Sequence, residues 1–369
     1  MRFAPAWILL VPAVTLAGGN PIDDTIRASK LAALTLSTPN SCAVTWADAA
    51  VAAAAEKAGV TTLNATRNKE NLETFVGSGY APATLRIAYR EGKEIDRLCG
   101  CGTANDVATW LLDVSDGQTH ADRLRVTAQS PARDVVPIGS WIEVAQAERC
   151  ADRLDDAYKT LVTLWNDIPT RWPEQRALRL TRVAYELGAL AEKHEPARVA
   201  LIALRDALDG TKDTDLAAND EWVALNRVLH DDARTLAWFE AARVDPARKE
   251  AATRQAPNVF SMWFEQMRLE DAGALIDDPI AWLGVWRQQP EGLDGAVRGY
   301  VALRAAGRPK DAATLAKAIF KFDKASASGW ACTLLSKSAE YGRTGKDEKA
   351  VAKVCEDEAV VAAWTAALP

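Results

Sequence analysis

The spacing of apolar residues along this 369-residue chain falls into two regimes. From residue 31 to 114, short apolar runs alternate with helical stretches. LAALTLST (31–38) is a run with β character, and WADAAVAAAAEKAG (46–59) is Ala-rich and closed by Gly59, so it predicts a helix. VTTLNAT (60–66) is β-branched and reads as a strand. NKENLETFVGSG (68–79) opens on an asparagine cap and ends in glycines, which predicts a second helix. ATLRIAYREGKEIDRLCG (83–100) is two alternating runs around Glu91-Gly92, a hairpin signal. TANDVATWLLDV (103–114) predicts a capped helix with Val107, Trp110 and Leu111 on one stripe. Residues 118–140 are polar with two prolines and read as a linker that could hold one short helix. Beyond residue 141 the apolar period is helical throughout.

The order β-α-β-α-β-β-α, with GYAPATLRIAYREGKEIDRLCGCG (79–102), resembles the thioredoxin fold over about 90 residues, assigned here to 22–117. The expected fold class is therefore an α/β thioredoxin-like N-terminal domain followed by an all-α helical-repeat, α-solenoid-like domain over 141–369. The resemblance implies a cis bond at Ala81–Pro82, where that family carries a cis-proline before a strand, with Pro82 shaping a groove for a substrate strand. It also places the reactive loop at Ser41-Cys42-Ala43-Val44-Thr45. There the chain departs from the family. The usual aromatic residue is absent, the second cysteine position is Thr45, and the family's buried acid falls at Leu36. A shift of register by three would instead put Pro39 first and Cys42 second.

A cysteine at a helix start meets unpaired N–H groups and the positive end of the helix dipole, which favours its thiolate. Cys42 is the candidate nucleophile, and Thr45 could hydrogen-bond a sulfur beside it. One thiolate can attack a disulfide but cannot resolve the mixed disulfide alone. In the family's fold the turn after the last strand lies beside the reactive loop, so Cys99 and Cys101 are candidate resolving thiols. A Cys99–Cys101 bridge, a metal site and an inert remnant cysteine are the alternatives. Metal is the weakest, because zinc needs four ligands and His120, His194 and His230 are scattered. No cofactor or metal is expected. Cys150 shows no partner in the sequence and reads as a core residue.

In the helical part, prolines recur where helices begin, at Pro173, Pro196, Pro246, Pro279, Pro290 and Pro309. The segments 182–210 and 296–323 resemble tetratricopeptide-type hairpins, without a regular period or the full family signature. In the last hairpin Cys332 lies ten residues before Gly342 and Cys355 ten after Gly345. Two antiparallel helices would bring them face to face, which predicts a Cys332–Cys355 disulfide; two adjacent thiols are the alternative. Most of the 13 tryptophans fall in helical stripes and read as packing residues.

Composition narrows the function classes. A net charge of -6 with no basic patch argues against nucleic acid. Arg2, an apolar stretch at 6–16 and small residues at 17–19 read as a signal peptide over 1–19. With six cysteines, this predicts an exported protein, periplasmic or secreted, with paired sulfurs and no stable membrane insertion after cleavage. The leading expectation is a single-cysteine (Cys-x-x-Thr) thiol site offered to a protein or peptide partner bound by the helical tail. The alternatives are a non-catalytic assembly scaffold of the cell envelope with a degenerate redox domain, and a chaperone-like holdase.

Overall fold

The computed structural model describes residues 20–38, 44–76, 82–129, 138–286 and 293–368. The chain divides into two compact units, residues 1–204 and 205–369.

The first unit is built on a four-stranded mixed sheet. Its elements run α1 (Pro21–Ala28), β1 (Leu31–Ser37), α2 (Ala49–Ala58), β2 (Thr61–Thr66), α3 (Lys69–Phe75), β3 (Thr84–Arg90), β4 (Lys93–Cys99), α4 (Ala104–Ser115), α5 (His120–Gln129), α6 (Ile138–Cys150) and α7 (Leu154–Arg171), with further helices beyond. The strand order is β2-β1-β3-β4. β1 runs parallel to β2, pairing Leu34 with Leu63, and antiparallel to β3, pairing Leu34 with Ile87. Burial follows position: the first six residues of the central strands β1 and β3 are buried, whereas the edge strand β2 is half-exposed along its length.

Strand alternation divides the core in two. Leu34, Leu36, Leu85 and Ile87 join Phe75 on one face of the sheet. Ala33, Ala88 and Leu98 join Val51, Val107 and Trp110 of α2 and α4 on the other. Ala54 and Ala55 of α2 belong to this second cluster.

Local signals set the ends. Glu91 and Gly92 both take positive φ, 52° and 78°, as a two-residue type I′ hairpin requires. Gly59 ends α2 at φ 65°, and Asn68 caps α3 by accepting from the Asn71 N–H at 2.8 Å. Thr103 and Asp106 form a capping box at the start of α4.

Three features differ from the sequence expectation. The helix expected from Trp46 begins only at Ala49, because 45–48 is a tight turn. Asp48 accepts from the Thr45 N–H at 2.9 Å, and the Trp46 indole donates to the Leu63 carbonyl at 2.9 Å. Residues 21–28 form α1, capped by Asn20, which the apolar pattern did not indicate. The stretch read as a linker with room for a short helix is occupied for ten residues by α5, which β4 helps to anchor. Asp96 of β4, 2% exposed, accepts from the Trp110 indole at 2.9 Å and from the His120 N–H at 2.8 Å. Burial pushes the Asp96 carboxyl above the usual carboxylate range.

The second unit is helical. Its largest core cluster gathers Trp222, Trp238, Phe260, Trp263, Trp282 and Trp286. Gly295 and Gly299, one turn apart on the helix Leu293–Ala305, leave room for Trp286 and Trp282 of the helix Pro279–Trp286. A Cβ at Gly295 would lie 2.1 Å from the Trp286 ring. Glu348, 1% exposed, accepts from the Tyr300 hydroxyl at 2.8 Å, the Trp364 indole at 3.0 Å and the Gly345 N–H at 3.0 Å. This ties the helix Glu358–Ala366 into the unit. Pro279 and Pro309 open helices as expected, Pro246 falls in the turn before the helix Lys249–Glu265, and Pro290 lies outside the described residues. Pro257 sits inside the helix Lys249–Glu265, as Pro169 does inside α7 of the first unit. Cys332 and Cys355 are bridged, with Cα atoms 4.9 Å apart. Among the described residues, no helix is long and apolar enough to cross a membrane.

Burial, reinforced by Arg123, drives the His120 pKa down from 6.5 to about 4. Arg123 also approaches its Nδ1 at 3.1 Å, a contact suited to the neutral ring. A folded-state value below the unfolded one gives stability that is full above the unfolded pKa and is lost as pH falls toward the folded one. Unfolding midpoints should therefore drop between pH 6.5 and 4 in the wild type, and this slope should flatten in His120→Asn. An unchanged slope in the variant would contradict the assignment.

Candidate functional site

The site is built around a charge buried in a strand. In TLRIAYR of β3, alternation points Thr84, Arg86 and Ala88 to the face covered by α2 and α4. Arg86 is 1% exposed. Its Nη1 donates to the carbonyls of Gly100 and Cys101, each at 3.2 Å, and its Nη2 to the Val44 carbonyl at 3.0 Å. Its guanidinium carbon lies 5.8 Å from the centre of the Trp46 ring. One cation thus fastens the segment entering α2 to the turn leaving β4. A buried guanidinium needs such acceptors, because desolvating it without partners costs several kcal/mol.

The turn after β4 depends on its glycines. Gly100 and Gly102 have φ of 82° and 58°, and the Gly100 N–H donates to the Thr84 carbonyl at 2.9 Å. Between them, half-buried Cys101 has its Sγ 3.9 Å from the Thr84 hydroxyl. Thr103, two residues on, caps α4.

The residues singled out from sequence are distributed as follows. Cys42 and Ala81 lie outside the described residues, and with Ala81 the Ala81–Pro82 bond. Pro82 is half-buried, two residues before Thr84. Thr45 is exposed, and its hydroxyl accepts from the Ala47 N–H at 3.2 Å within the turn before α2. Cys99 requires a correction, since it is bridged to Cys150 of α6 with Cα atoms 6.0 Å apart. It therefore serves neither as a resolving thiol nor as a partner for Cys101, and Cys150 is not partnerless. The reason is strand alternation. Leu98 packs with Val107 and Trp110, so Cys99 turns to the opposite face, where it meets Cys150 beside Leu85. The two bridges account for four of the six cysteines; the other two are Cys42 and Cys101. Among the described residues, no group of three or more His, Cys, Asp or Glu side chains could hold a metal.

Sequence reasoning missed Arg86 as a site residue. Its signal was present: an arginine at an inward position of an otherwise apolar strand. Leu36, at the position read for a buried acid, is fully buried.

Arg86→Leu leaves three carbonyls short of a donor and should lower unfolding stability by about 3 kcal/mol or more. Arg86→Lys, with one ammonium to share among them, should lose less. Urea denaturation of the two variants tests this, and no loss in Arg86→Leu would contradict the clasp.

Set beside known proteins, the chain matches no family model, no curated protein and no solved structure.

Proposed function

We propose that this is an exported thioredoxin-like protein whose small domain exchanges disulfides with a protein partner through Cys42 and Cys101. The helical remainder would bind that partner. The single observation that carries this reading is the Arg86 clasp. The Val44 and Cys101 carbonyls are taken by the two terminal nitrogens of one guanidinium. Val44 stands two residues after Cys42 in the sequence, so one group holds the backbone of Val44 and that of Cys101. A fixed positive charge near a thiol favours its thiolate, and the Arg86 guanidinium lies on the Cys101 carbonyl. The strand order β2-β1-β3-β4, with β3 antiparallel to β1, supports the thioredoxin-like reading.

The chemistry balances within the pair. The Cys42 thiolate attacks one sulfur of the partner's disulfide, and the other partner sulfur leaves as a thiolate. The Cys101 thiolate then attacks the Cys42 sulfur and expels the second partner thiolate. The partner gains two electrons and takes protons from water, and the chain is left with a Cys42–Cys101 disulfide. Run backwards, the same steps oxidise a partner dithiol. Here Cys101 takes the resolving role that the usual motif assigns to the residue at Thr45. A second reading, a scaffold without redox chemistry, draws on buried Leu36: no carboxylate stands at that position to relay a proton.

Disulfide reduction in insulin, driven by dithiothreitol, tests the choice. Wild type should be active, and Cys42→Ser and Cys101→Ser should each lose about tenfold or more. Cys101→Ser should also accumulate the mixed disulfide. Equal rates in all three proteins, or none in any, would leave the scaffold.

A further inference from the structure

Within the helical unit, arginines are almost uniformly ion-paired. Arg205, Arg227 and Arg234 each meet aspartates, and every other described arginine there but one has a carboxylate within ion-pair distance. The exception is Arg298. It is half-buried on the helix Leu293–Ala305, and its guanidinium carbon lies 5.7 Å from the centre of the Phe264 ring. Among the described residues, no carboxylate or carbonyl accepts its N–H groups, even though Asp294 stands one turn before it.

Arg298 lines a pocket of about 220 Å³. Phe264, Val297 and Val301 give it an apolar floor, and Lys337 and Tyr341 stand on its wall with Thr333. The Tyr341 ring meets Phe264 edge-on at 5.1 Å. Lys337 is engaged by Glu340 at 2.6 Å, which leaves the guanidinium as the uncommitted donor. Asp294 lines the same pocket as an acceptor, and it disfavours a ligand with more than one negative charge.

We infer that this pocket is a binding site for a carboxylate carried on an apolar or aromatic body, the carboxylate paired with Arg298 and the body laid on Phe264, Val297 and Val301. A planar guanidinium fork matches a carboxylate in two parallel hydrogen bonds. Among the described residues this half-buried cation meets an aromatic face and no carboxylate, where nearly every other arginine of the unit has one. Two sources carry this chemistry, a small free acid and the C-terminal residue of a polypeptide. The site does not depend on the sulfur chemistry proposed above, so its failure would leave that reading standing.

Calorimetric titration of the full chain with N-acetyl-phenylalanine, its amide, and a peptide ending in phenylalanine as acid or amide tests the site. Both acids should bind about tenfold or more tighter than their amides. A peptide acid tighter than the small acid identifies a polypeptide terminus as the source, and equal affinities identify a free acid. Arg298→Gln should weaken acid binding about tenfold or more, and Arg298→Lys by less. Because no described carboxylate pairs with Arg298, both variants should keep the wild-type Tm, which separates lost binding from lost folding. Acids no better than amides, no binding up to about 10 mM, or undiminished binding by Arg298→Gln would overturn the site.

Discussion

A guanidinium cannot be withdrawn from water without acceptors, and that constraint organises the small sheet domain. Arg86 sits on a central strand with 1% of its surface exposed. Its acceptors come from two loops far apart in sequence, at Val44 and at Gly100 and Cys101. A strand of apolar residues alone would leave these loops to their own conformational freedom. The buried charge instead demands their carbonyls, and in meeting that demand the segments next to Cys42 and Cys101 are drawn to one place. The glycines at 100 and 102 follow from the same demand, since the turn must aim two successive carbonyls at one group through left-handed backbone.

The sulfurs are segregated by the sheet itself. On one face, Cys99 and Cys150 link β4 to α6. Cys101 lies in the turn after β4, with its Sγ 3.9 Å from the Thr84 hydroxyl. Cys99 and Cys101 are separated by one glycine, and Cys99 is bridged to Cys150. The helical unit uses a different device, a fully buried carboxylate. Glu348 collects a phenol, an indole and a backbone N–H around itself. Both units thus place a charge in the interior and surround it with the partners it requires. The uncommitted Arg298 departs from that practice at a pocket wall.

What could be read from the sequence is what local chemistry determines. The hairpin at Glu91-Gly92, the glycine stop of α2, the asparagine cap of α3 and the capping box of α4 each depend on neighbours within four residues. The Cys332–Cys355 bridge expected from the spacing is present, although Cys355 lies in the loop after the four-residue helix Lys349–Ala352 and not on a facing helix. The Cys99–Cys150 bridge spans 51 residues with no periodic relation between its ends, so nothing in the spacing could single it out. Trp46 looked helical by composition, but its indole finds an acceptor on β2 and the helix yields its first turn to that contact. A short helix was allowed in the polar stretch that holds α5, but its anchor, the Asp96 carboxylate, lies on another element. Arg86 was visible as a charge in an apolar strand, but the identity of its acceptors depends on the completed fold.

The central claim is that Cys42 and Cys101 form one pair, distinct from the two bridges. Its most direct test is the sulfur connectivity of the oxidised protein, read by mass spectrometry of peptides cleaved without reduction and with free thiols alkylated first. The account predicts a peptide joining Cys42 to Cys101, alongside Cys99–Cys150 and Cys332–Cys355, and expects mild reductant to open the first before the others. Cys42 joined to Cys99 or Cys150, or alkylated alone after full oxidation, would contradict it.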